Sequence, residues 1–472
     1  MLIPIAGAPH LRRDFLRRGG GLAVAGYALP NWVSAARANE GAGGNEAAGG
    51  RSTRGVGRAR SCILVYLLGG PPHLDMFDLK PQAPAEVRGP FRPIATNVPG
   101  IEICEHFPRL SLMADKYALV RSVSYPNSNH TPMIYYTLTG RPTERPEEDN
   151  DVRPPQRTDF PHAGSVLSKL RDGSDVMPAY VAIPEVATRN STSGEFKRGA
   201  RLPLRGGSAG FLGARFDPLP MNGEPGALDA VPALTPPLEV PRDRFERRSA
   251  LLELLNRPAV SSRDFDEVRH RAALLTGASS HSQRAPFTLE GEPVALRDRY
   301  GHHRFGRSLL MARRLVEAGV SLVAVHFNEM TVCDGWDTHS KNFEGLQSEL
   351  LPMVDQSLSA LLDDLDQRGR LAETLVLCLG EFGRTPKINA NAGRDHWGPC
   401  STTFVAGGSL CMGQAIGASD KIGAFPTTEP IPPVDVHATM YHALGINPHQ
   451  VITDPFGRPF DICTGNVIRQ LM

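Results

Sequence analysis

Thr374-Leu375-Val376-Leu377-Cys378-Leu379-Gly380-Glu381-Phe382-Gly383-Arg384 is the stretch that decides how this chain is read. Its apolar run has no polar alternation, the pattern of a parallel strand covered on both faces. The run stops at Gly380 and an acid follows at once. A carboxylate at the end of a buried strand must be solvated at the sheet edge, hydrogen-bonded or bound to a cation. Asp395-His396-Trp397 stands shortly downstream. Two further apolar runs share the design. Ile63 to Leu68 leads into Gly69-Gly70-Pro71-Pro72-His73-Leu74-Asp75, and Leu322 to Phe327 leads towards Asp337-Thr338-His339. Ligands of parallel sheets gather outside the C-terminal ends of the strands. Three strand ends bearing carboxylates and imidazoles therefore predict one metal site built from distant parts of the chain.

The connections agree with such a sheet. Between the Leu322–Phe327 run and the Thr374–Leu379 run, Phe343, Leu346, Leu350, Val354, Leu358, Leu361 and Leu365 keep three- and four-residue spacing, which predicts a helix over 340–368. Strand, helix and strand at these lengths make a crossover unit. Further strands are expected at 117–124, 179–183 and 402–406. Helices are expected at 106–116, 243–256, 263–276, 305–318 and 436–444. Thr131 to Gly140 reads as a short helix with Thr131 as N-cap, Pro132 at the first helical position and Gly140 as the stop. Residues 141–161 form a polar, Pro-rich loop, and 190–240 an irregular insertion rich in Gly and Pro.

Composition excludes some functions. The 472 residues carry 51 basic and 50 acidic side chains, a formal net charge of +1. That gives no argument for nucleic acid or an anionic membrane surface. Leu11-Arg12-Arg13-Asp14-Phe15-Leu16 is a twin-arginine signature, followed by a mild apolar run and by Ala36-Arg37-Ala38, which fits a cleavage site. Residues 1–38 are therefore expected to be an export signal and 39–60 a flexible Gly-rich tether, with the α/β domain over 61–472. The apolar run is too short and Gly-rich for a lasting membrane anchor. The seven cysteines (62, 104, 333, 378, 400, 411 and 463) show no metal-ribbon spacing. Their odd number leaves at least one thiol unpaired.

Each candidate site residue also has a plain structural explanation. Asp337-Thr338-His339 places two ligands on one turn, but a solvated Asp beside a helix cap looks the same. Trp336 reads as packing, and Asp78 as a turn cap. Glu381 and Asp395-His396 are weak alone. Gly69-Gly70 lets the backbone come close to a ligand. Asn127-Ser128-Asn129-His130-Thr131 enters a helix whose free N–H groups attract an anion, and a hydroxyl there is placed for attack if a metal lowers its pKa. The joint pattern carries the reading. Mixed carboxylate and imidazole ligands favour zinc or manganese over calcium, as one ion or as a pair about 4 Å apart.

The chain resembles a family of twin-arginine-exported proteins, the domain of unknown function numbered fifteen hundred and one, and is similar through it to the alkaline phosphatase and sulfatase superfamily. Besides the stretches above, His130 to Arg141, Tyr300-Gly301, Ala312-Arg313-Arg314-Leu315, Gly380 to Pro386, Gly393-Arg394-Asp395-His396-Trp397 and Gly457-Arg458-Pro459 carry the resemblance. It implies an alkaline-phosphatase-like, three-layer α/β/α sandwich with a mostly parallel sheet. It implies Asp75 as first acid, Thr131 or Ser128 as nucleophile, Asp337 and His339 as a ligand pair, Glu381 as late acid and His396 as closing ligand. One metal would take Asp75, the nucleophile and Glu381, and another Asp337, His339 and His396. Asp395 is a further ligand candidate, and His130 is placed to be a ligand or the nucleophile. Arg384 and the helix start would hold the anion. Two departures stand out: Glu381-Phe382 replaces the usual Asp-His, and no sulfatase Cys-x-Pro-x-Arg is present. The expected activity is an exported hydrolase of phosphate or sulfate esters, periplasmic or secreted, with a small-molecule or polysaccharide ester as substrate. The alternative is a non-catalytic envelope or polysaccharide-binding protein with a reduced metal site. His437 and His442 read as structural.

Overall fold

The uniformly apolar runs take the centre of the sheet. The computed structural model describes residues 57–144, 154–171, 177–183, 188–190, 201–221, 223–227, 231, 243–244, 247–248, 251, 285–327 and 335–472. The expected export signal, most of the expected tether and nearly all of the helices expected at 243–256 and 263–276 lie outside them. The sheet comprises β1 (Ser61–Leu67), β2 (Tyr117–Val123), β3 (Tyr180–Ile183), β4 (Leu219–Pro220), β5 (Leu322–Phe327), β6 (Thr374–Leu379), β7 (Ser401–Gly407) and β8 (Gln414–Ile416). Its spatial order is β8-β2-β7-β6-β1-β5-β3-β4. Five of the seven neighbouring pairs are parallel, and β7 runs antiparallel to both its neighbours. The three strands read first lie side by side as β6-β1-β5, so their ends converge.

Alternation along β1 shows why no polar residue interrupts it. Ile63, Val65 and Leu67 belong to one apolar core, and Cys62, Leu64, Tyr66 and Leu68 to a second on the opposite face. The first core is closed by α3 (Arg304–Glu317) and α4 (Leu351–Gln367). The second is closed by α1 (His130–Thr139), α2 (Ala163–Leu170) and α5 (Pro433–Ala443). This is the three-layer α/β/α order. His437 donates from Nε2 to the Thr137 carbonyl at 2.7 Å and so ties α5 to α1.

The helix expected over 340–368 is one helical path in three parts: a first turn at Asn342–Gly345, a π turn at Leu346–Leu350, then α4. Pro352 explains the π turn, because its ring crowds the carbonyl four residues earlier and supplies no N–H. Lys341, in the left-handed region, precedes the first turn; neither Thr338 nor Ser340 is the cap. The helix expected at 106–116 is a 3₁₀ segment, Leu110–Lys116, broken at Met113. Among the described residues all six cysteines are free. Burial pushes the Cys62 thiol up to about 12 and that of Cys378 higher still, so both are inert.

Candidate metal centre

The centre begins where β1 and β6 end. Gly69 has φ +124°, and a Cβ there would sit 2.3 Å from the Asp337 amide nitrogen. The glycine pair therefore admits the Asp337 backbone, a neighbouring loop rather than a ligand. Gly69 N–H donates to Glu381 Oε1 at 2.9 Å, which locks the two strand ends together. Helix α1 starts one residue earlier than Thr131: Asn129 is its N-cap and His130 its first residue. Asn127 Oδ1 accepts the Asn129 N–H at 2.7 Å and shapes the entry, so Pro132 falls at the third helical position. Gly140 ends the helix at φ 71°, as its sequence position predicts.

That start aims His130 at the strand ends. Its Nδ1–H donates to Glu381 Oε1 at 2.6 Å, while Nε2 lies 3.2 Å from Asp337 Oδ2. His396, on a two-residue ribbon strand (His396–Trp397) paired with Gly383–Arg384, places Nε2 3.1 Å from Asp337 Oδ1. Ligand atoms of His130, Asp337 and His396 all lie within 4.8 Å of one another. His339 closes the outer side. Its Nε2 is 2.8 Å from His396 Nε2 and 3.1 Å from Asp337 Oδ1, and its Nδ1–H donates to Asp395 Oδ1 at 2.8 Å.

The donor set fits a cation. Glu381 and Asp395 take the Nδ1 protons of His130 and His339, which turns both Nε2 lone pairs inward. Backing of a ligating imidazole by a carboxylate is the usual outer arrangement of a metal centre. His130 Nε2 is buried and makes no well-formed hydrogen bond. Lone pairs of nitrogen facing a carboxylate repel one another unless a proton or a metal ion stands between them. Charge adds to this. Burial alone would raise the Asp337 carboxyl, but the imidazoles of His130, His339 and His396 beside it hold it far below the usual carboxylate range. Burial brings the His396 imidazole down to about 4, opposed by Asp337, so it is neutral at pH 7 and ready to ligate. Asp337, and then Asp395, raise His339 against the opposing effect of burial.

Other predicted residues take different places. Glu381 is fully buried behind His130, with Tyr66 O–H donating to its Oε2 at 3.2 Å. It meets the cluster through the His130 ring. Asp395 stands in the same relation to His339. Asp75 is not brought to the cluster: Arg394 donates to its two oxygens at 2.7 and 2.8 Å, and Asn342 donates to Oδ2 at 2.8 Å. Arg384, expected to hold an anion, is itself held. Its buried guanidinium donates to the carbonyls of Gly69, Gly70, Trp336 and Arg394 and, at 2.6 Å, to Asp337 Oδ1. Ser128 Oγ accepts the Gly398 N–H at 2.8 Å, and Thr131 is buried as the second residue of α1. Asp78 pairs with Lys80 and Ser419, not a helix end. Trp336 packs edge-on to Phe327. Sequence reading missed Tyr66 and Arg394, since a Tyr inside an apolar strand and an Arg in a loop give no local signal of their partners.

Residues 59–472 match the family described as "Protein of unknown function (DUF1501)", and the chain belongs to that family. No curated protein matches. Among solved structures the chain is similar to Ps i-CgsB in complex with k-i-k-neocarrahexaose, at 11% identity and TM-score 0.38, covering 82% of this chain and 72% of that one. It is similar to the PsFucS1 sulfatase from Pseudoalteromonas sp., at 12% and 0.33, covering 82% and 68%. It is also similar to the phosphonate monoester hydrolase SpPMH from Silicibacter pomeroyi, at 14% and 0.33, covering 87% and 76%. The residues of the centre, and not these likenesses, carry the functional reading. Among the described residues no helix is long and apolar enough to cross a membrane.

Proposed function

We propose that this chain is an exported, metal-dependent hydrolase of phosphate or sulfate esters, with one zinc or manganese ion held by His130, Asp337, His339 and His396. The observation that carries the reading is the position of His130 Nε2, buried 3.2 Å from Asp337 Oδ2 with Glu381 on the other ring nitrogen. A bound ion supplies Lewis-acid polarisation of the ester oxygen. The residues of the chain do the rest. Glu381 and Asp395 fix the tautomers of His130 and His339. Arg384 fixes Asp337. The start of α1 offers its positive end to the anionic ester. Of the two hydroxyls at the entry of α1, Thr131 is the one on its first turn and is the proposed attacking hydroxyl. Attack would transfer the phosphoryl or sulfuryl group to Thr131 Oγ1 and release the alcohol, and water would then regenerate the hydroxyl.

Two tests address the parts separately. Glu381→Gln is expected to weaken zinc binding about 10- to 100-fold, because the His130 tautomer loses its partner. Competition with a fluorescent chelator measures this, and an unchanged affinity would remove Glu381 from the centre. Thr131→Ala is expected to cut turnover of an aryl phosphate or sulfate at least about a hundredfold with zinc content unchanged. Unaltered turnover would move the attack from Thr131 to solvent.

One observation favours a second reading. Asp75 and Arg394 satisfy each other, and Arg384 is spent on protein acceptors, so charges expected for substrate and a second ion are consumed internally. A non-catalytic envelope or polysaccharide-binding protein with a reduced metal site would look like this. A zinc- or manganese-loaded protein that turns over no aryl ester yet is retained on a polysaccharide column would establish it. Export through the twin-arginine machinery to the periplasm or beyond is part of the proposal. N-terminal sequencing of the mature protein tests it, with Asn39 expected first.

A further inference from the structure

Beside the metal centre stands a pair of aromatic rings that neither the fold nor the proposed chemistry uses. Trp397 follows His396 directly and is half-buried. Its Nε1–H donates to the Ala424 carbonyl at 2.6 Å, and its ring meets Phe425 edge-on, 5.5 Å between centroids at 67°. Phe425 is 51% exposed, and Ile422 in the same turn is 39% exposed.

The turn that presents them is fixed from several sides. The Asp420 carboxylate accepts N–H groups from Ile422, Ala424 and Phe425 at 3.1, 2.8 and 3.3 Å. Asp420 N–H donates to the Phe425 carbonyl at 2.9 Å. His73 Nε2–H donates to the Gly423 carbonyl at 2.8 Å and ties the turn to the end of β1. A large apolar ring that could fold inward would do so to leave water. Both backbone polar groups of Phe425 are hydrogen-bonded to Asp420, and its ring stays half exposed. The rigid edge is also continuous with the centre on two sides: Trp397 is bonded to His396, and the next residue, Gly398, donates to Ser128 at the entry of α1.

Resting on the ester-hydrolase reading, we infer that Phe425, braced edge-on by Trp397, forms a subsite for a six-membered ring in the alcohol part of the substrate, which stacks on the exposed Phe425 face while the anionic group sits at the centre. An aromatic face takes the apolar side of a ring at low entropic cost because it is already ordered. A pyranose or an aryl ring, attached through one oxygen, presents such a side; a short alkyl chain does not.

Tryptophan fluorescence reports on this directly. Of the three tryptophans, Trp32 lies in the expected signal segment and Trp336 is fully buried, which leaves Trp397 as the accessible one. Zinc-loaded protein would be titrated with phenylphosphonate and with methylphosphonate, neither of which needs turnover to be read. Phenylphosphonate is expected to bind about tenfold more tightly, with that difference lost in Phe425→Ala and kept in Phe425→Tyr. Equal binding of the two, or a difference that survives Phe425→Ala, overturns the subsite and leaves the hydrolase reading standing. Binding of neither by the zinc-loaded protein overturns the ester reading and the subsite with it. α-Glucose 1-phosphate, read the same way, distinguishes the sources: the ring with the larger Phe425-dependent gain identifies a pyranose or an aryl alcohol.

Discussion

Zinc titrated into the metal-free protein is expected to saturate at one equivalent, and Asp337→Asn or His396→Ala to weaken that binding by at least about a hundredfold. The size follows from losing a ligand outright, since removing only an outer partner already costs 10- to 100-fold. Asp337 is the most sensitive point. Both its oxygens face imidazole nitrogens, at 3.1 and 3.2 Å, and Arg384 donates to one of them. Asp337→Asn keeps the shape, removes the charge and puts an N–H where an ion would stand. His396→Ala removes the nitrogen whose low proton affinity makes it available at pH 7. Elemental analysis of the folded protein with both variants measures this. Two equivalents in the wild type, one surviving in Asp337→Asn, would restore the paired-ion arrangement that the sequence also allowed. No metal after reconstitution would sink the proposed chemistry.

The second large effect is structural. Arg394→Ala is expected to cost about 3–5 kcal/mol, because it strands the fully buried Asp75 carboxylate without its guanidinium. Arg394 also donates to the carbonyls of Val87, Thr385 and Pro386, so the loop carrying Asp395 and His396 is hung on it. The apolar double variant Asp75→Leu/Arg394→Met removes both charges together and is expected to recover much of the loss. Urea midpoints in EDTA, where no ion contributes, would measure both. A loss under about 1 kcal/mol in Arg394→Ala would mean that water reaches Asp75 and that the pair is not closed.

The two effects separate what Asp75 and Asp337 do, a distinction their sequence contexts hide. Each is an acid shortly after a buried strand. Asp75 meets an Arg and an Asn 319 and 267 residues away, while Asp337 meets three imidazoles. Glu381 was legible as a carboxylate that needed a partner. The partner is His130, 251 residues away, and that pairing sets Glu381 behind the imidazole that meets Asp337. Arg384 shows the same limit: its charge was visible and its five acceptors were not.

The sequence by itself determined the layers and the neighbourhood of the site. Unbroken apolar runs have one stable place, a strand covered on both faces, and charged residues after them must stand at the sheet edge. Those constraints act within a few residues and are written locally. Only the tertiary structure decided which of the gathered acids and histidines face one another. A two-residue shift in the start of α1 aims His130 at Asp337, and Gly69 sets how closely the Asp337 loop can approach. Such choices depend on directions and distances of a few ångströms between segments hundreds of residues apart, and no local pattern records them.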